Sequence, residues 1–81
     1  MALTLLFLGR LEDLAGGAQR TIETETPLSR AQIAAQLGAP LAEAVLADNV
    51  RIALNGVLVT DEGWQAAESD EVAFLPPVSG G

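Results

Sequence analysis

Apolar positions along the chain change their period several times, and each change predicts an element. Ala2 to Leu8 is apolar with the one exception of Thr4, a continuous run that predicts a strand buried on both faces. Gly9 interrupts it. Leu11, Leu14 and Ala15 then recur at helical spacing with Glu12 and Asp13 turned outward, and Gly16 and Gly17 stop the turn, as residues free to adopt left-handed torsions do at helix ends. Gln19 to Thr26 mixes threonines with Ile22 ahead of Pro27, the pattern of a half-exposed edge strand.

Ser29 and Gln32 have the spacing of a capping box, and Leu28, Ile33 and Leu37 mark the apolar stripe of a helix closed by Gly38. Pro40 opens a second helical stretch with Leu41, Val45 and Leu46 on one face, ended by Asp48 and Asn49. The period then shortens to two. Ile52–Leu54 and Val57–Val59 read as short strands joined by Asn55 and Gly56, residues that tolerate the positive φ a type I′ hairpin turn requires. The acidic segment from Asp61 to Asp70 reads as turns, with Trp64 covering an edge of the core. Val72–Leu75 makes a last strand, which Pro76 and Pro77 end because neither can donate a ladder hydrogen bond.

Strand, short helix, strand, helix pair, hairpin and strand is the order of an α+β roll, with one sheet and helices packed on one face. The 81 residues suffice for a single domain, and 49% apolar against 19% charged residues is a globular composition. The longest apolar run, Leu5 to Leu8, is too short for a membrane span or a signal core, so a cytoplasmic protein is expected. Net charge is −7. That balance repels phosphate backbones and anionic lipid, so neither nucleic acid nor membrane is expected as a partner, and a partner whose binding site is basic is favoured.

The chain has no His, Cys, Lys or Tyr, which removes most groups able to transfer protons, attack or ligate near neutral pH. Glu23 with Glu25 would share one strand face and Asp70 sits beside Glu71, so a paired-carboxylate site is formally open, but exposed acidic pairs are usually just solvated. Ser29 is explained as a cap and Ser69 as a turn residue, with no base to activate either. No metal site is expected without His or Cys and without calcium-loop spacing.

What remains is the α-carboxylate of Gly81. Gly80 and Gly81 can pass a narrow channel and leave the terminal carbonyl open to attack. Beyond Pro77, residues 78–81 reach roughly 13 to 14 Å when extended. Pro76 and Pro77 stiffen the root of this arm, reducing the entropy lost when a partner fixes it. A carboxylate is a poor acyl donor, so it must first be adenylated, and the chain has no phosphate-binding loop of its own.

Asp70 to Gly81, DEVAFLPPVSGG, closely resembles the end of molybdopterin synthase small subunits, the MoaD-type sulfur carriers of the MoaD/ThiS family; LLFLGRLEDLAG and RIALNGVLV are similar to that family's first strand and helix and its central hairpin. The resemblance implies a ubiquitin-like β-grasp roll of about five strands in one mixed sheet, filling residues 1–81 with 76–81 as an extended tail. It implies that an E1-like adenylyltransferase (MoeB-type) uses ATP to activate Gly81. A sulfurtransferase or other sulfur donor then supplies the sulfur of a thiocarboxylate. It further implies that Pro76, Pro77, Val78, Ser79 and Gly80 enter the large subunit (MoaE-type). Sulfur there passes to cyclic pyranopterin monophosphate in molybdenum cofactor biosynthesis, within a heterotetramer of two small and two large subunits.

On this resemblance the chain is not an enzyme by itself and keeps no bound cofactor. Phe7, Phe74 and Leu75 match apolar positions of the family's subunit interface, although strand alternation allows only one of Phe74 and Leu75 to face inward. The sequence departs from the family at Glu68 and Ser69, where a glycine-containing turn is usual. Two other readings stand beside this one, a ThiS-like carrier for thiamine thiazole synthesis and a ubiquitin-like protein modifier or binding module.

Overall fold

The computed structural model describes residues 2–77. Strands β1 (Ala2–Phe7), β2 (Gln19–Glu23), β3 (Arg51–Leu54), β4 (Val57–Val59) and β5 (Glu71–Leu75) form one mixed sheet in the order β2-β1-β5-β3-β4. Helices α1 (Arg10–Ala15), α2 (Arg30–Ala35) and α3 (Leu41–Val45) supply Leu11, Ile33, Ala34, Leu41 and Val45 to the core beneath it. The element order is that read from the sequence, and the fold is the ubiquitin-like β-grasp. β5 sits at the centre, parallel to β1 and antiparallel to β3.

Local chemistry accounts for most boundaries. Ser29 accepts from the Gln32 N–H while the Gln32 side chain accepts from the Ser29 N–H, so both halves of the capping box are made. Asn55 at φ 53° and Gly56 at φ 84° form the tight turn between β3 and β4, both in the positive-φ region that a type I′ turn needs. Gly16 closes α1 at φ 78°. Leu28 and Ala66 exchange backbone hydrogen bonds of 2.8 and 2.9 Å, which pins the acidic segment to the chain just ahead of α2, and Trp64 is buried as expected.

Two expectations are corrected. β1 is buried on one face only: Leu3, Leu5 and Phe7 point into the core, and Ala2, Thr4 and Leu6 are half-buried on the other side. The helices cover one side of the sheet, so a continuous apolar run marks a central strand here without doubling its burial. Leu46 is exposed, because α3 ends at Val45 before the stripe comes round again.

Two of the four arginines are committed to the fold. Arg30 donates Nε to the Val45 carbonyl at 2.9 Å and Nη2 to those of Ala47 and Val50 at 3.0 and 3.2 Å, with Glu62 3.4 Å from Nη1. Arg20 donates Nη2 to the Ala15 carbonyl at 3.0 Å. Each cation thus satisfies carbonyls at or just beyond a helix C-terminus, where the macrodipole favours positive charge.

Candidate functional site

The chain leaves the sheet from its middle strand, and three neighbours define where. On one side the Leu8 N–H donates to the Phe74 carbonyl at 3.3 Å, carrying the β1–β5 ladder to its last rung. On the other side Leu75 is the register partner of Arg51. Beneath, Gly9 at φ 55° lies so close to Pro76 that a Cβ there would stand 3.0 Å from Pro76 Cγ. Gly9 is therefore the seat of the first proline, and its missing side chain and left-handed torsion are both used. Sequence reading took it only for a strand breaker. Its contact with Pro76 joins the two ends of the described chain, so no local pattern announces it.

Phe7 and Phe74 are not surface groups. They are 1% and 0% exposed and stack at 5.6 Å between ring centroids, 11° from parallel. This corrects their expected place at a partner interface: they anchor the last strand, and pleating turns Leu75 to the open face instead. Of the three residues, Leu75 is the one offered outward. Pro76 is half-buried and Pro77 exposed. Val78, Ser79, Gly80 and Gly81, the expected inserted arm and reactive end, lie outside the described residues.

The register places the open-face residues in rows across the sheet. Nearest the exit, Leu75 pairs with Arg51, and Leu8 follows the end of β1. In the next row Leu6, Ala73, Ala53 and Leu58 are successive partners. Farther away come Thr21, Thr4 and Glu71. The face is thus apolar toward the exit and polar away from it, with Leu58 60% and Leu8 41% exposed. Period-two alternation counted outward from Leu75 finds these residues once β5 is known to be central, which only the pairing reveals.

Two recesses share Pro76 and Pro77 as a wall. One of about 470 Å³ opens on the sheet side, beside Arg51, Asn49, Leu58 and Leu75. Another of about 230 Å³ opens between α1 and α3, beside Arg10, Leu14 and Ala47.

At the opposite end of β5 the polar groups satisfy one another. Asp70 accepts from the Ala67 N–H at 2.8 Å and from the Asn55 amide at 3.0 Å, and Asn55 in turn accepts from the Glu71 N–H at 2.9 Å. The Ala67 N–H first, and the Asn55 amide second, hold the Asp70 carboxyl below its ordinary value. Asp70 is a structural clip, which accounts for it without a paired-carboxylate site. Ser69 stands at φ 74°, so the turn that the resemblance expected to contain glycine forms with a serine in the left-handed region.

The family model described as ThiS family matches residues 5–81. The chain belongs to the ThiS family. A comparison with curated proteins finds no significant match. Among solved structures, this ThiS-family chain is similar to SAMP1 from Haloferax volcanii, at 26% identity and TM-score 0.79 over 100% of both chains. It is also similar to a chain from the complex of subunits 1 and 2 of molybdopterin-converting factor from Helicobacter pylori, at 22% identity and TM-score 0.66 over 100% of both chains. A third is the small archaeal modifier protein 1 from Methanosarcina acetivorans, at 20% identity and TM-score 0.77 over 99% of this chain and 96% of that one. The last two likenesses bear on fold alone. Among the described residues, no helix is long and apolar enough to cross a membrane.

Proposed function

We propose that this ThiS-family chain is the sulfur-carrier subunit of a molybdopterin synthase. The observation that carries the reading is the exit of the chain at Pro76 and Pro77, from the central strand and beside an exposed apolar strip, with a ThiS-family match that runs to residue 81. Such a root presents residues 78–81 to a partner while the strip supplies docking area.

In this reading an E1-like adenylyltransferase joins the Gly81 carboxylate to the AMP of ATP, releasing pyrophosphate. Sulfide-level sulfur delivered by a donor then attacks the acyl carbon, the C–O bond to AMP breaks, and AMP leaves with the thiocarboxylate left on Gly81. The arm enters a large subunit of the kind named in the Helicobacter pylori complex, and the sulfur is passed to cyclic pyranopterin monophosphate. The carrier supplies reach and a side-chain-free terminus, and the catalytic side chains belong to its partners. Leu75, Leu8 and Leu58 form the apolar docking strip.

Intact mass after incubation with the adenylyltransferase, ATP and a sulfur donor tests carriage: the expected product is heavier by one oxygen-to-sulfur exchange at Gly81. An unchanged mass overturns it. Reconstitution with the large subunit and the pterin precursor then tests the acceptor, and failure to sulfurate the pterin despite a loaded Gly81 redirects the carrier to another acceptor such as the thiamine thiazole.

The likeness to SAMP1 favours a second reading, in which the same adenylate is taken by a lysine of another protein. Finding Gly81 in amide linkage to cellular lysines supports it. The chain itself has no lysine, so side-chain-linked chains of the protein cannot form.

A further inference from the structure

The chain carries eleven carboxylates against four arginines, so a cation left without an internal partner is conspicuous. Arg20 and Arg30 are bound to carbonyls inside the fold. Arg10 and Arg51 are exposed, and among the described residues neither makes a hydrogen bond or ion pair. They stand on opposite sides of one feature. Arg51 is the register partner of Leu75 and lines the sheet-side recess with Pro76 and Pro77. Arg10 follows Gly9, the seat of Pro76, and lines the helix-side recess with the same two prolines. Asp48 lines the recess of Arg51 without pairing to it. At the other end of the central strands, Glu23 lies beside Ala2 and Glu71 beside Thr4, with Asp70 adjacent.

We propose that Arg10 and Arg51 form a cationic collar around the root of the tail, and that it docks against carboxylates ringing the channel through which a partner protein takes in residues 78–81. The collar rests on the reading that a partner takes up the tail, and it names the chemistry of that partner's rim. Three physical points select this occupant. A net charge of −7 excludes a polyphosphate strand. Four residues can span up to roughly 13 Å, so a collar at Pro76 and Pro77 is suited to the protein surface at a channel mouth rather than to a phosphate reacting at the Gly81 carboxylate. Charges flanking an apolar strip are the anatomy of an interface rim, where they set association rate and register.

The test is pyrophosphate exchange by the full-length chain with its adenylyltransferase and MgATP, reading KM for the carrier and kcat separately. R10E and R51E are compared with the double variant A31E/Q65E, which adds the same two negative units as one reversal at exposed positions outside both recesses walled by Pro76 and Pro77. Each collar reversal is expected to raise KM about tenfold with kcat within about twofold, as loss and inversion of a rim contact implies. KM of the wild type is expected to rise with NaCl, and the R10E/R51E double variant is expected to lose that rise. KM values equal to those of A31E/Q65E, or lower, overturn the collar while leaving carriage intact. Absence of exchange with the wild-type chain overturns both the carrier reading and the collar that rests on it.

Discussion

The central strand ends in two different ways. At its start, Asp70, Asn55 and the Glu71 and Ala67 amides close a ring of hydrogen bonds around the hairpin turn, and a strained Ser69 is held there by its N–H bond to the Ala2 carbonyl at 3.0 Å. At its finish, Leu8, Leu58 and Leu75 face outward, two arginines have no hydrogen-bond or ion-pair partner among the described residues, and a glycine sits closely under a proline. The first end spends its polar groups on itself and so serves stability. The second leaves both apolar area and charge unpaired, which a folded domain keeps at a cost unless something else is to cover them.

Breaking each end should therefore give a different readout. Deleting Gly81 is expected to abolish sulfur loading altogether while leaving the unfolding midpoint of the domain unchanged, measured by intact mass and by urea titration. Asn55→Ala removes two side-chain hydrogen bonds and places alanine at φ 53°; the expected loss is about 2 kcal/mol in urea, with no change in KM for the activating enzyme. Gly9→Ala puts a Cβ against Pro76 at a left-handed torsion and should cost about 1–2 kcal/mol. Unlike Asn55→Ala it should also raise KM, and adding Pro76→Ala in the same chain should return part of the lost stability by removing the ring that clashes. Ser69→Gly is expected to add about 0.5–1 kcal/mol by relieving the left-handed serine, measured as a higher urea midpoint.

The smallest effect is a pH dependence. Because the Asp70 carboxyl is held below its ordinary value in the folded chain, it adds stability above the ordinary aspartate range near about 4. That contribution is lost as pH falls through the lowered folded value. Asp70→Asn should flatten the urea midpoint across this acid window, and the tail-end variants should leave it unchanged.

Much of the closed end was legible in the chain. Asn55-Gly56 between two short apolar runs predicts its turn from torsional preference alone, and Ser29 with Gln32 predicts a cap from hydrogen-bonding reach. At the exit, Pro76 and Pro77 announce that the ladder stops because they lack N–H groups. The face of Phe74 was not legible. Both Phe74 and Leu75 are apolar, so pattern alone cannot say which one the pleat turns inward, and only the register with Phe7 and Arg51 does. Nor could Gly9 be matched with Pro76, since their contact depends on a parallel pairing between the first and last strands.

Residue chemistry by itself determined the order of elements, the turn and cap types, the lack of His, Cys, Lys and Tyr and the singular character of the Gly80-Gly81 end, because each depends on torsions, hydrogen-bond capacity or reactivity held within a few residues. Tertiary structure alone decided that β5 is central, that Phe7 and Phe74 anchor it from within, that Pro76 rests on Gly9, and that two arginines without a partner among the described residues stand on either side of the exit. These depend on which distant segments meet. Contacts of that kind are set by the burial and register of the whole sheet, which no local stretch of sequence contains.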